Sequence, residues 1–74
     1  MTAVKLGKYQ HYKGNYYVLI AEAKHSETLE DYVAYMALYE SELGKNVIWV
    51  NKKEEFFKEV EVNGKKVPRF KFIG

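Results

Sequence analysis

The sequence predicts a small, mainly β domain, and three observations carry that prediction. Residues 16–25 alternate at period two, with Tyr17, Leu19, Ala21, Ala23 and His25 on one face and Tyr16, Val18, Ile20, Glu22 and Lys24 on the other. Asn63-Gly64, the strongest short hairpin signal, separates the alternating Glu59-Val60-Glu61-Val62 from a returning segment with Val67, Phe70 and Phe72. Val47-Ile48-Trp49-Val50 is β-branched and aromatic throughout. At 74 residues the chain has room for one domain, 1–74. Such a chain buries only about 60% of the surface its unfolded form exposes. Seven Tyr, four Phe and one Trp supply the bulk for that small core, and no cysteine is present to staple it or to ligate a metal.

Taken in order, residues 1–7 read as a loose start ending at Gly7. A short strand over 8–12 is followed by a tight turn at Lys13-Gly14-Asn15, where Gly and Asn tolerate positive φ. The long strand 15–25 comes next. Its first face is apolar as far as His25, its second only in the first half, as in a strand of a small curled barrel. Ala21 and Ala23 are small, as a close facing wall would require. Residues 28–43 admit two readings. As a helix, Thr28 is the N-cap and Leu29, Tyr32, Val33, Met36 and Leu43 form a stripe, which gives an α+β fold. As a strand, 32–39 sets Val33/Tyr35/Ala37/Tyr39 against Tyr32/Ala34/Met36/Leu38, and local propensity leans to the helix. Gly44-Lys45-Asn46 is a turn, 47–50 a strand, and Asn51 is placed to cap a helical turn over 52–58 anchored by Phe56 and Phe57. After 59–62 and the Asn63-Gly64 turn, residues 65–73 return as an edge strand or a partly irregular segment, since Pro68 donates no ladder hydrogen bond.

The residues also carry a resemblance. The series Gly7-x-Tyr9-x-His11-Tyr12-Lys13-Gly14, Tyr17, Ala23-x-His25-Ser26-Glu27-Thr28-Leu29-Glu30, Val33-x-Tyr35-x-Ala37-Leu38-Tyr39, Trp49-Val50 and Val67-Pro68-Arg69-Phe70 resembles the family of small bacterial proteins catalogued as domain of unknown function number sixteen fifty-three. The resemblance implies a small SH3-like, partly open barrel of about five strands with one short helical turn. It makes 32–39 a strand, and it implies no activity. The family pattern continues Trp-Val with Arg-Pro, where Asn51-Lys52 stand here, and its loop before Val47 is shorter. A ligand contact made by that Arg would here be lost or fall to Lys52 or Lys53.

Charge narrows the function classes. Residues 1–25 carry +3, residues 26–44 carry −5 and residues 45–74 carry +4. A uniformly basic nucleic-acid binder lacks such an acidic middle, although a basic patch on one face is compatible with it. Uncharged runs such as Asn15–Ala21 fall far short of the roughly 20 residues that cross a bilayer. Met1–Lys8 is no signal peptide. These features read as a cytoplasmic protein without a membrane partner.

Four groups of residues are candidates for function. His11 and His25 lie roughly 20 Å or more apart in a flat ladder, so a shared metal requires sheet closure and a carboxylate such as Glu27, and no metal or cofactor is expected. His25-Ser26-Glu27-Thr28 lacks a nucleophile elbow, and adjacent strand residues point to opposite faces. It reads as a corner in which Ser26 and Thr28 bond backbone amides and His25 satisfies a carbonyl, with a rim able to contact ligand. The abundant aromatics, Tyr17, Tyr35 and Trp49 among them, exceed what such a core hides. With Lys13 and Arg69 beside them they suit a recognition face for a protein segment or nucleic acid. Arg69, between Pro68 and Phe70, reads as packed by its stem with a solvated head or, alternatively, as paired with Glu27 or Glu30. Finally Val18, Ile20 and Met36, with Tyr32, form an outward apolar set of the kind found at homodimer or partner surfaces. The chain therefore reads as a non-enzymatic binding module using His11, Lys13, Tyr17, His25, Ser26, Glu27, Tyr35, Trp49 and Arg69. The alternative is a small-ligand or catalytic domain built on His25 and Glu27.

Overall fold

In the computed structural model, which describes residues 4–74, the chain runs β1 (Gly7–His11), β2 (Tyr16–Lys24), β3 (Asp31–Ala37), β4 (Glu40–Ser41), β5 (Gly44–Lys45) and β6 (Ile48–Lys52). It continues through α1 (Lys53–Phe56), β7 (Glu59–Val62), β8 (Lys65–Pro68) and β9 (Phe70–Phe72). The main sheet has the order β6-β3-β2-β1-β9, and every neighbour in it is antiparallel. β4–β5 and β7–β8 are separate two-stranded ribbons. The fold is thus mainly β with one short helix, as the sequence predicts. The main sheet stays open between its edges β6 and β9 and does not close into a barrel.

Turn chemistry sets the hairpins. Gly14 takes φ 110° in the β1–β2 turn, and Asn63 and Gly64 take φ 51° and 79° between β7 and β8. Two consecutive positive φ values match the right-handed twist of the flanking strands. The expected loose start at 1–3 lies outside the described residues. Residues 4–6 carry no regular structure, yet Val4 packs on the core and the Lys5 carbonyl accepts the Tyr9 hydroxyl at 2.7 Å.

The structure corrects several local expectations. Residues 28–43 form no helix. Leu29 takes φ 62°, and β3 is hydrogen-bonded on both sides as the sheet's second strand, so tertiary pairing overrides local helix propensity. β2 carries a bulge: Leu19 pairs with Tyr35 but Ala21 with Ala34, leaving Ile20 extra. The two faces exchange there. Tyr17 and Leu19 face inward as expected, but Ala21 and Ala23 pair with Ala34 and Tyr32 on the outer side, while Glu22 joins Val33 on the inner side. Glu22 uses that position to meet Lys53 of α1 at 2.7 Å. The helical turn is shorter than 52–58, and Asn51 does not cap it. Asn51 lies in β6, its Oδ1 accepts the Lys52 amide at 2.8 Å, and Lys52 at the N-cap makes no side-chain cap bond. The return 65–73 is two strands. β8 pairs only with β7, and at Arg69 the chain crosses to β1: Arg69 N–H donates to the Lys58 carbonyl at 3.0 Å and Tyr12 N–H donates to the Arg69 carbonyl at 2.9 Å.

The core lies on the inner face of the main sheet, under α1. Phe56 is fully buried and stacks face to face on Phe70 at 4.1 Å, with Tyr9, Leu19 and Val33 buried around the pair. Phe56→Ala is therefore expected to lower the unfolding free energy by about 3–5 kcal/mol in denaturant titration. A loss under about 1 kcal/mol would show that α1 does not close the core.

Candidate functional site

The inner face has two ends of different chemistry. Near the β1–β2 turn it gathers His11, Tyr17, Tyr35, Trp49 and Arg69, five of the nine residues singled out from the sequence, and Lys13 lies exposed in the adjacent turn. The His11 ring packs 4.9 Å from Phe70 and 4.6 Å from Tyr12, and its Nδ1 accepts the Lys13 amide at 3.1 Å. Burial, with Arg69 and Lys13 nearby, lowers the His11 pKa and keeps the ring neutral at pH 7. The Tyr17 and Tyr39 hydroxyls share a 2.8 Å hydrogen bond, and burial together with that bond holds the Tyr17 phenol protonated. Tyr35 lies edge-on to Tyr17 and Phe70, both at 5.5 Å. Its pKa is raised by burial, against which Arg69 and Asn51 act. Trp49 pairs with Tyr35 across β3–β6 and is 38% exposed.

Arg69 completes this end. It does not pair with Glu27 or Glu30, because the chain crossing at Arg69 aims it at α1. Its guanidinium reaches Glu55 at 4.0 Å, the limit of an ion pair. The group therefore offers protonated phenols, a neutral imidazole, an indole and a weakly matched guanidinium on one aromatic wall. Groups of that chemistry are able to donate hydrogen bonds to an acceptor. It contains no nucleophile held by a base. Sequence reasoning missed Tyr39 and Asn51 as members. The signal for Tyr39 was its place in the Val33/Tyr35/Ala37/Tyr39 set.

His25, Ser26 and Glu27 lie at the opposite end of β2 and do not join this group. They form the polar corner, with its bonds distributed differently from expectation. His25 Nδ1 accepts the amides of Glu27 and Thr28 at 3.1 and 3.2 Å, and Thr28 Oγ1 accepts the Glu30 amide at 3.3 Å. The His25 backbone closes the turn with Glu30 and Leu29. No side-chain bond of Ser26 appears among the described residues. The Arg-to-lysine substitutes are also engaged: Lys52 meets Glu30 at 3.3 Å, and Lys53 meets Glu22. Lys52, then Thr28, hold the Glu30 carboxyl below its ordinary range.

The edge strand β6 has its own chemistry. Ala37 N–H donates to the Val47 carbonyl and Leu38 N–H to the Tyr16 carbonyl. Antiparallel phase then turns Tyr35 and Val33 toward Trp49 and Asn51, so the amides and carbonyls of Ile48 and Val50 point away from the sheet. Their side chains lie on the outer face with Val18 and Met36, and are 59% and 63% exposed. The outward set read from the sequence thus continues onto an open edge.

These features define a class: a small, open antiparallel sheet closed on one face by a helical turn and a strand crossing, with a polar-aromatic wall beside a free edge. The chain belongs to the family described as Protein of unknown function (DUF1653), whose model matches residues 7–72. A crystal structure of a protein of that family from Bordetella bronchiseptica is 30% identical, with a TM-score of 0.85 over 96% of this chain and 88% of that one. No curated protein matches.

The corner's bonding makes a prediction. His25→Ala leaves two turn amides without their acceptor and is expected to lower stability by about 1 kcal/mol, while His25→Asn, whose side chain accepts the same kind of bond, restores most of it. Equal loss in both variants, measured by denaturant unfolding, would assign His25 a different role.

Proposed function

We propose that the protein is a non-enzymatic binding module that takes an extended protein segment as an added strand along β6, beside the His11–Tyr17–Tyr35–Trp49–Arg69 wall. One observation carries this reading: Ile48 and Val50 turn their backbone amides and carbonyls outward on an edge without proline, bulge or charge at its centre. Natural edges are usually guarded by such devices. Strand addition supplies affinity from the backbone and specificity from alternate side chains. On the inner side, the incoming strand's residues would meet Trp49, with Arg69 and the phenols within the same wall to favour an acidic side chain.

Protein is favoured over nucleic acid. Lys24, Lys52 and Lys53 are matched by Asp31, Glu30 and Glu22. Three exposed rings already carry a lysine, Lys5 over Phe72, Lys8 over Tyr16 and Lys13 over Tyr12, so those faces are not open to base stacking. No observation favours a site built on His25 and Glu27, since the His25 Nδ1 is committed to its turn. No helix among the described residues is long and apolar enough to cross a membrane. The lack of cysteine and the abundance of Lys and Glu fit a cytoplasmic setting for this binding.

The test is selection of peptides from a displayed random library on the full chain, followed by titration of a selected peptide. The peptide is expected to shift the Ile48 and Val50 amides in NMR spectra. Val50→Pro removes an outward N–H without touching the β3 ladder, and is expected to weaken binding about tenfold. Undiminished binding to that variant, or oligonucleotide binding with no peptide selected, would overturn the reading.

A further inference from the structure

Among the described residues a groove of about 880 Å³ includes none of the nine residues singled out from the sequence. Its size lies within the range of small-molecule sites. Its floor is aromatic. Tyr9 meets Phe57 at 6.2 Å and Phe72 at 5.3 Å, both edge-on, and Phe57 and Phe72 remain 40% and 39% exposed. The one polar atom of that floor, the Tyr9 hydroxyl, is already spent on the Lys5 carbonyl. Val4 adds an apolar wall.

The charges along the groove are unequal. At the α1 end, Lys52 and Lys53 are matched by Glu30 and Glu22, Asp31 is held by Lys24, and Glu54 adds a further carboxylate. Lys5 also lines the groove, and among the described residues it has no carboxylate within ion-pair distance, whereas Lys71 alternates with the inward Phe70 and Phe72 and pairs with Gln10 on the other side of β9. Lys5 Nζ rests 5.3 Å above the Phe72 ring instead. An ammonium without a carboxylate partner, lining an aromatic groove, is suited to an anion attached to an apolar body.

We infer that this groove binds a small anionic amphiphile: an apolar body lies against Phe57 and the Val4 wall, and its carboxylate, sulfonate or phosphate sits at the Lys5 ammonium. Ile48, Trp49 and Val50 do not line the groove, so this site and strand addition at β6 stand or fall separately.

The probe is 8-anilinonaphthalene-1-sulfonate, with N-phenyl-1-naphthylamine as the neutral molecule of the same body, each titrated by fluorescence against the full chain. The sulfonate is expected to bind and to shift the amides of Phe57 and Phe72. Lys5→Gln, at an exposed position, is expected to weaken the sulfonate about fivefold and the neutral probe less than about twofold. Phe57→Ala is expected to weaken both probes. No sulfonate binding, equal sulfonate affinity in the Lys5→Gln variant, or shifts confined to Val18, Met36, Ile48 and Val50 on the outer face would overturn the inference.

Discussion

The stack of Phe56 on Phe70 is the contact on which the rest of the structure depends. Phe56 ends the helical turn that follows one sheet edge, and Phe70 begins the strand that forms the other. An open five-stranded sheet buries a face only if something covers it. Here the stack pulls both ends of the sheet over Tyr9, Leu19 and Val33, and Tyr35 packs 5.1 Å from Phe56 at the margin. Closure is by side chains rather than by hydrogen bonds between β6 and β9. Hence the main sheet keeps two edges where a barrel would have none.

That mode of closure sets where polar groups go. The bulge at Ile20 twists β2 and exchanges its faces, so the inner side becomes Glu22 toward the α1 end, where Glu22–Lys53 and Glu30–Lys52 pairs gather. These pairs are solvent-exposed and worth little individually. At the other end the wall is aromatic, and the hydroxyls of Tyr17 and Tyr39 satisfy one another instead of facing acids. The molecule thus separates an ion-paired end from a phenol-rich end on one sheet face.

Much of this was legible in the sequence, and the rest was not for identifiable reasons. The strands around Gly14 and Asn63-Gly64 follow from turn chemistry that is local. Residues 31–37 are strand only because β2 and β6 pair with them on both sides, which no local propensity records. The face exchange at Ile20 is silent because a bulge leaves period-two alternation intact on each side of it. His11, Tyr17, Tyr35, Trp49 and Arg69 were found by residue type, and their convergence depends on the β9 crossing at Arg69. One reading of Arg69 paired it with Glu27 or Glu30, but the bond from its amide to Lys58 directs it to α1. The amphiphile groove had no sequence signal at all: Lys5, Phe57 and Phe72 come from three distant segments.

The open β6 edge links the fold to the proposed strand addition, because a sheet closed by a side-chain stack leaves that edge's backbone outward. Amide hydrogen exchange on the full chain tests this most directly. An open edge predicts protected amides at Trp49 and Asn51, which face β3, and fast exchange at Ile48 and Val50 between them. Protection at Ile48 and Val50 equal to that at Trp49 would contradict an open edge and the binding mode built on it.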